Sequence, residues 1–268
     1  VLSFVDLATR PEFTVTSVTC RDDHRNWSAE DPRDDVRIVL ARRGGFRRRT
    51  RGVCTDIDHT VGYLGMPAEE EHFAHPAGGD VCTSISLAPA LWRALAGDSP
   101  RLNDSVLYVD GRLDLAHRRL LAAVRTADID HAGAERLVDL LTRVIRQAVA
   151  TTVPDHASTT SGDRALAAAA RAVLRDGHPA GAGLLPLADL LGVSPYRLSR
   201  AFSRALGVSL TRYRNRIRVT RALDRLEAGE PSLAILAADL GFADQAHLCR
   251  TMRDHLGHTP TALRRLLT

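Results

Sequence analysis

The sequence predicts an α+β chain of two domains: a β-rich barrel or sandwich followed by two helices, and then an all-helical domain holding two helix-turn-helix units. Four observations lead there. Short, alternating or β-branched segments fill Phe13 to Leu87, and apolar residues recur at three- and four-residue steps from Leu113 onward. One polar, breaker-rich stretch lies between the two blocks, and a length of 268 residues suits two domains.

In chain order, Phe13–Arg21, Val36–Arg42, Phe46–Thr50, Gly52–Ile57, Val61–Leu64 and Val81–Leu87 read as strands. Gly44-Gly45 and Pro76-Ala77-Gly78-Gly79 mark turns, and the regular spacing points to a small barrel or sandwich. Leu113–Thr126 and Ala134–Val149 are then amphipathic helices, the second carrying Leu137, Leu141 and Ile145 as a stripe that either pairs two copies of the chain or packs on the barrel. Residues 151–163, with Pro154 and the run Ser158-Thr159-Thr160-Ser161-Gly162, read as a linker. The expected division is therefore 1–150, 151–163 and 164–268.

Within the last block, Pro186–Leu191 is a short helix ending at Gly192, and Ser194-Pro195 supplies an N-cap and a first-turn proline for the helix Pro195–Leu206. The grammar recurs: Ser232 caps Leu233–Leu240, Gly241 makes the turn, and Asp244 caps Gln245–Leu256. The two second-helix caps, Ser194 and Asp244, are 50 residues apart, with a long helix over Ser209–Ala228 between the units. A short helix, a glycine turn and a second helix with an arginine-bearing outer face is the helix-turn-helix pattern, whose second helix enters the major groove of DNA.

Charge divides the same way. Residues 1–163 hold 20 Arg against 24 Asp and Glu, a balance of −4, whereas residues 164–268 hold 16 Arg against 8 acids, a balance of +8. An anionic partner would be met by the C-terminal third. No apolar run approaches the roughly 20 residues of a membrane span, and Val1 to Arg10 shows no secretory pattern, so the expected place is the cytoplasm. Cys20, Cys54, Cys82 and Cys249 form no CxxC pair and are expected to be reduced.

The stretch from Leu184 to Thr268 resembles the AraC/XylS family of transcription regulators. The landmarks are GVSPYRLSRAFSRALGVSLTRYRNRIRVTRAL, then LAADLGFADQAHLCRTMRDHLGHTPTALR, with Gly257-His258-Thr259-Pro260 leading into a final short helix. Met252 and Leu263 depart from the aromatic residues usual there. The resemblance implies a sequence-specific regulator, not an enzyme, that meets double-stranded DNA through the first turns of both second helices. The implied contacts are Tyr196, Ser199 and Arg200 in the first unit and Gln245, His247 and Arg250 in the second, with Ala246 and Cys249 beside them. Arginine can hold guanine O6 and N7 with two bonds, and glutamine can do the same for adenine.

The N-terminal block resembles, more loosely, the cupin-like sensing half of such regulators, on RIVLARRGGFRRRTRG and GMPAEEEHFAHPAGGDVCTSISL. That implies a small-molecule effector inside the barrel and a homodimer, with RNA polymerase as a further partner if the protein activates. The run Arg47-Arg48-Arg49 reads as a solvated strand edge. His72, His75 and Cys82 are candidate metal ligands, but the HxH pair of cupin metal sites is missing, so no cofactor is expected. Cys54 and Cys82 could alternatively form a thiol sensor, giving a redox- or metal-responsive regulator as the second reading. A cupin enzyme with a helical appendage is the third, and neither a metal triad nor a nucleophile–base pair supports it.

Overall fold

The computed structural model describes residues 2–22, 24–29, 33–76, 78–97, 105–125, 129–149 and 159–267. The chain divides into two compact units, Val1–Thr151 and Thr152–Thr268.

The first unit is an antiparallel sheet built from β1 (Leu2–Arg10), β2 (Phe13–Cys20), β3 (Val36–Arg43), β4 (Gly45–Thr50), β5 (Val53–Asp58), β6 (Val61–Gly65), β7 (Glu71–Ala74), β8 (Asp80–Leu87) and β9 (Val106–Tyr108). Their order among the described residues is β1-β2-β8-β3-β6-β5-β4-β7, with β9 paired to β6, and the sheet curls into a half-barrel. All six strands expected from alternation are present, with ends moved by a residue or two. The alternation did not reveal β1, because most of its residues are exposed and neither face follows a burial pattern. β7 was hidden by its shortness and its acidic start.

α1 (Pro89–Ala96), α2 (Gly111–Arg125) and α3 (Ala134–Val149) cover one face of the sheet. Val36, Ile38 and Leu40 of β3, Leu64 of β6, and Ile85 and Leu87 of β8 form one core with Leu113 and Leu120 of α2 and Leu137, Leu140, Leu141 and Val144 of α3. The stripe on α3 thus packs within the unit: Leu137 and Leu141 are buried in this core and Ile145 is packed against it. Those residues support packing on the barrel rather than a pairing face. Because side chains alternate along a strand, Arg37, Val39, Ala41 and Tyr63 point to the other face.

The second unit is helical. α4 (Ser161–Arg175) begins inside the stretch expected to be linker, because the Thr160 hydroxyl caps it by accepting from Asp163 N at 3.1 Å. Residues 151–158, the rest of that stretch, lie outside the described residues. A 3-10 turn over Pro179–Ala182 follows, then α5 (Leu184–Leu190), α6 (Pro195–Leu206), α7 (Leu210–Glu227), α8 (Leu233–Asp239), α9 (Gln245–Leu256) and α10 (Pro260–Leu267). Buried Tyr213, Ile217, Val219, Ala222, Leu223 and Leu226 make α7 the spine of this unit, and Tyr213 meets Phe202 of α6 edge-on with ring centroids 5.2 Å apart.

Candidate nucleic-acid interface

α5–α6 and α8–α9 are built by one local rule applied twice. Each first helix ends in a glycine with positive φ, +64° at Gly192 and +71° at Gly241, where a Cβ would be strained. The residue after each glycine returns its N–H to the first helix: Val193 N donates to Ala188 O at 3.0 Å, and Phe242 N to Ala237 O at 2.9 Å. Two residues beyond Gly192 and three beyond Gly241 comes the cap of the second helix. Ser194 accepts from Arg197 N at 3.2 Å, and Asp244 from His247 N at 2.6 Å. Both second helices then close on a left-handed glycine, Gly207 and Gly257. Leu198 and Phe202 face the interior in the first unit as Leu248 and Met252 do in the second, and all four are fully buried.

The outer faces of α6 and α9 differ. On α6, Tyr196, Arg197 and Arg200 are exposed and Ser199 is half-buried. The Arg200 guanidinium lies 5.6 Å from the centroid of the Tyr196 ring, so the two share one patch of surface. On α9, Gln245, Ala246, Arg250 and Arg253 are exposed, with Cys249 half-buried at the position equivalent to Ser199. His247 is more tied down than its exposed neighbours: its Nδ1 accepts from Ala243 N at 3.3 Å, and its ring meets Phe242 edge-on at 5.4 Å. That bond leaves Nε2 to carry the ring proton. Arg200 and Arg250 stand at the sixth residue after their caps.

A family model described as a helix-turn-helix domain matches residues 187–266. The matched stretch takes in α6, α7, α8 and α9, so this part of the chain is similar to helix-turn-helix domains. A search of curated protein sequences gives no match. Among solved structures, the chain is similar to ToxT from Vibrio cholerae O395 with 11% identity, a TM-score of 0.38, and coverage of 97% of this chain and 99% of that one. It is similar to the C-terminal domain of AraT, a response regulator from Geobacillus stearothermophilus, with 24% identity, a TM-score of 0.35, and coverage of 40% and 87%. A cupin superfamily protein from Desulfitobacterium hafniense DCB-2 aligns with 13% identity and a TM-score of 0.29 over 32% of this chain and 76% of that one. Scores this low leave the fold description to the strands and helices above.

Not all of the domain's positive charge faces outward. Arg214 and Arg221 of α7 donate to main-chain carbonyls, those of Ala182 and Arg175, the latter at 2.9 Å. Between them Arg218 lies 5.6 Å from the Phe242 ring centroid, and burial, with Arg214 and Arg221 alongside, lowers its proton affinity. Arg225 is held by Glu230 and, at 2.9 Å, by Asp239, and Arg204 meets Asp163 at 3.1 Å. The sequence signal for the α7 arginines, three cations at helical spacing, was present but gave no sign that they fasten turns to the spine.

On the sheet face away from the helices, aromatic rings cluster around buried charge. Phe46, Tyr63 and Phe73 pack with centroids 5.9–6.4 Å apart. Arg48, read from the sequence as part of a solvated edge, is buried beneath them, 4.3 Å from the Tyr63 ring centroid. It donates to Glu71 at 2.5 Å, to Ser105 at 3.1 Å and to Glu69 at 3.3 Å, while Arg37 shares Glu71. Alternation explains the difference, since Arg47 does point out and pairs with Asp56 at 3.1 Å. The metal candidates separate as well. The His72 ring goes to the Ser28 carbonyl at 3.0 Å, away from His75, which sits beside Asp80. Cys54 is exposed on β5, and β6 and β3 separate it in the sheet from Cys82 on β8. Burial, with Asp80 nearby, pushes the Cys82 thiol up and away from the thiolate form a sensor needs.

Proposed function

We propose that the chain is a sequence-specific DNA-binding transcription regulator, with Arg200 and Arg250 reading bases from α6 and α9 and a small-molecule effector acting through the N-terminal unit. The observation that carries the reading is the repeated scaffold: two helices capped and closed in the same way, each presenting an exposed arginine at the same place. Tyr196 and Gln245 are proposed as neighbouring base or sugar contacts, with His247 acting through Nε2. Half-buried Ser199 is proposed only as a contact for a close-approaching backbone. Arginines that already hold carbonyls on α7 position the helices and contribute less to phosphate neutralisation.

The test is selection of random duplex DNA on the full chain, followed by binding at several salt concentrations. Enrichment of a bipartite site is expected, with affinity falling steeply as salt rises because each phosphate contact releases condensed counterions. No enriched sequence, together with a flat salt response, would contradict the reading.

A further inference from the structure

We infer that the N-terminal unit binds a zinc-type transition-metal ion through Cys20, His24 and His75, with Asp80 orienting His75. This inference is independent of the DNA-binding reading. The candidate ligand atoms of these three residues all lie within 4.8 Å of one another. Zinc bond lengths of about 2.3 Å to sulfur and 2.0–2.1 Å to nitrogen give a ligand separation near 3.5 Å in a tetrahedron, so closure needs a shift of about 1 Å. His24 is exposed on the segment between β2 and β3, its Nδ1 3.5 Å from the Asn26 carbonyl, and a turn of that side chain would supply it.

Three pieces of chain hold the cluster together. Cys20 ends β2 and is paired in register with Asp80 at the start of β8. His75 directly follows β7, and its backbone N–H donates to the His24 carbonyl at 2.8 Å, while Ser28 N reaches Phe73 O at 2.8 Å. The segment carrying His24 is thereby fastened along β7. The turn into β8 lies so close to β2 that a Cβ on Gly79 would sit 2.2 Å from the Cys20 carbonyl oxygen.

The buried histidine supplies the second observation. His75 is 8% exposed, its ring lies against Phe46 at 5.6 Å, and it meets the His24 ring edge-on at 4.5 Å. Its Nε2 is 2.9 Å from Asp80 Oδ1, and its Nδ1 is buried with no hydrogen-bond partner. A buried nitrogen without a partner is costly. A metal ion at Nδ1 would remove that cost and would fix the proton on Nε2 facing Asp80, the arrangement by which carboxylates orient ligating imidazoles. One thiolate and two imidazoles suit zinc and its borderline-soft neighbours rather than magnesium or calcium. The thiolate forms as the Cys20 thiol proton leaves to solvent on binding.

The test uses the metal-free full chain titrated with cobalt(II), followed by the thiolate-to-cobalt charge-transfer band in the near ultraviolet. A band saturating at one ion per chain and erased by added zinc is expected. Cys20→Ser should abolish it, His24→Ala should weaken binding at least tenfold, and Asp80→Asn should weaken it by about 10–100-fold. Because His24 is exposed, His24→Ala should keep the native circular dichroism, and Cys54→Ser should keep both fold and band. Absence of the band in the wild type, or a band that survives Cys20→Ser and disappears in Cys82→Ser, would overturn the assignment.

Discussion

The two units differ in where their charge does its work. The first takes it inside: Arg48 and Glu71 are each 1% exposed, with Asp58, Asp80 and His117 buried as well. The second also buries Arg171 and Arg216, but it leaves Arg197, Arg200, Arg250 and Arg253 exposed on the outer faces of α6 and α9. Buried charge must be matched by partners within the fold and therefore fixes the shape of an enclosing sheet. Exposed charge on a capped helix contributes little to stability and remains available to a partner. Substitution of charged residues should therefore damage stability in the first unit and recognition in the second.

The largest expected effect is at Glu71. Glu71→Ala leaves Arg37 and Arg48 buried without their shared carboxylate and should cost about 3–5 kcal/mol of first-unit stability. Trp27 and Trp92 are the only tryptophans and both belong to that unit, so tryptophan fluorescence during urea unfolding reads it selectively. A loss below about 1 kcal/mol would mean the network is not what holds that face of the sheet together.

Acid should act next, and again on the first unit. Burial, with the Arg42 charge adding to it, lowers the His117 pKa from 6.5 to about 3, and the neutral ring meets Thr83 Oγ1 at 2.8 Å. The unfolded chain then binds a proton that the folded chain refuses, so stability is full above about pH 6.5 and declines as pH falls toward 3. The loss from this residue should be about 2 kcal/mol at pH 5. His117→Gln should flatten that part of the pH dependence of tryptophan-detected unfolding. An unchanged slope would place the acid sensitivity elsewhere.

The smallest stability effects belong to the helix caps, and they sharpen the likeness of the two helix-turn-helix units. Ser194→Ala and Asp244→Ala should each cost about 1 kcal/mol, measured by helical circular dichroism, because each removes an acceptor for one backbone N–H at an equivalent place. A loss at only one of the two would break the equivalence.

How much of this was legible depended on chain distance. Gly192, Val193 and Ser194 are adjacent, as are Gly241, Phe242 and Asp244 close behind, so the helix-turn-helix units could be read from local chemistry. The α4 start was missed by a few residues because Thr160 capped it from within a run of linker-like polar residues. In the first unit, alternation revealed the strands but not their partners. His72, His75 and Cys82 stood out in the sequence, yet strand pairing brings Cys20 and His24 to His75 from about fifty residues away and turns His72 aside. The inward turn of Arg48 needed the same long-range information, since three consecutive arginines look alike until one face of β4 is covered.

The central claim is that α6 and α9 are both base readers and that their unlike surfaces read different halves of one site. If the two dock alike, Arg200 and Arg250 should enter major-groove segments about 34 Å apart. The direct measurement is the affinity of Arg200→Ala and Arg250→Ala, in the full chain, for the selected site and for a scrambled duplex of the same composition. Each variant should lose on the order of 1–3 kcal/mol on the selected site and much less on the scrambled one, and each should relax preference at a different base position. Equal losses on both duplexes would make these arginines phosphate anchors and contradict the account.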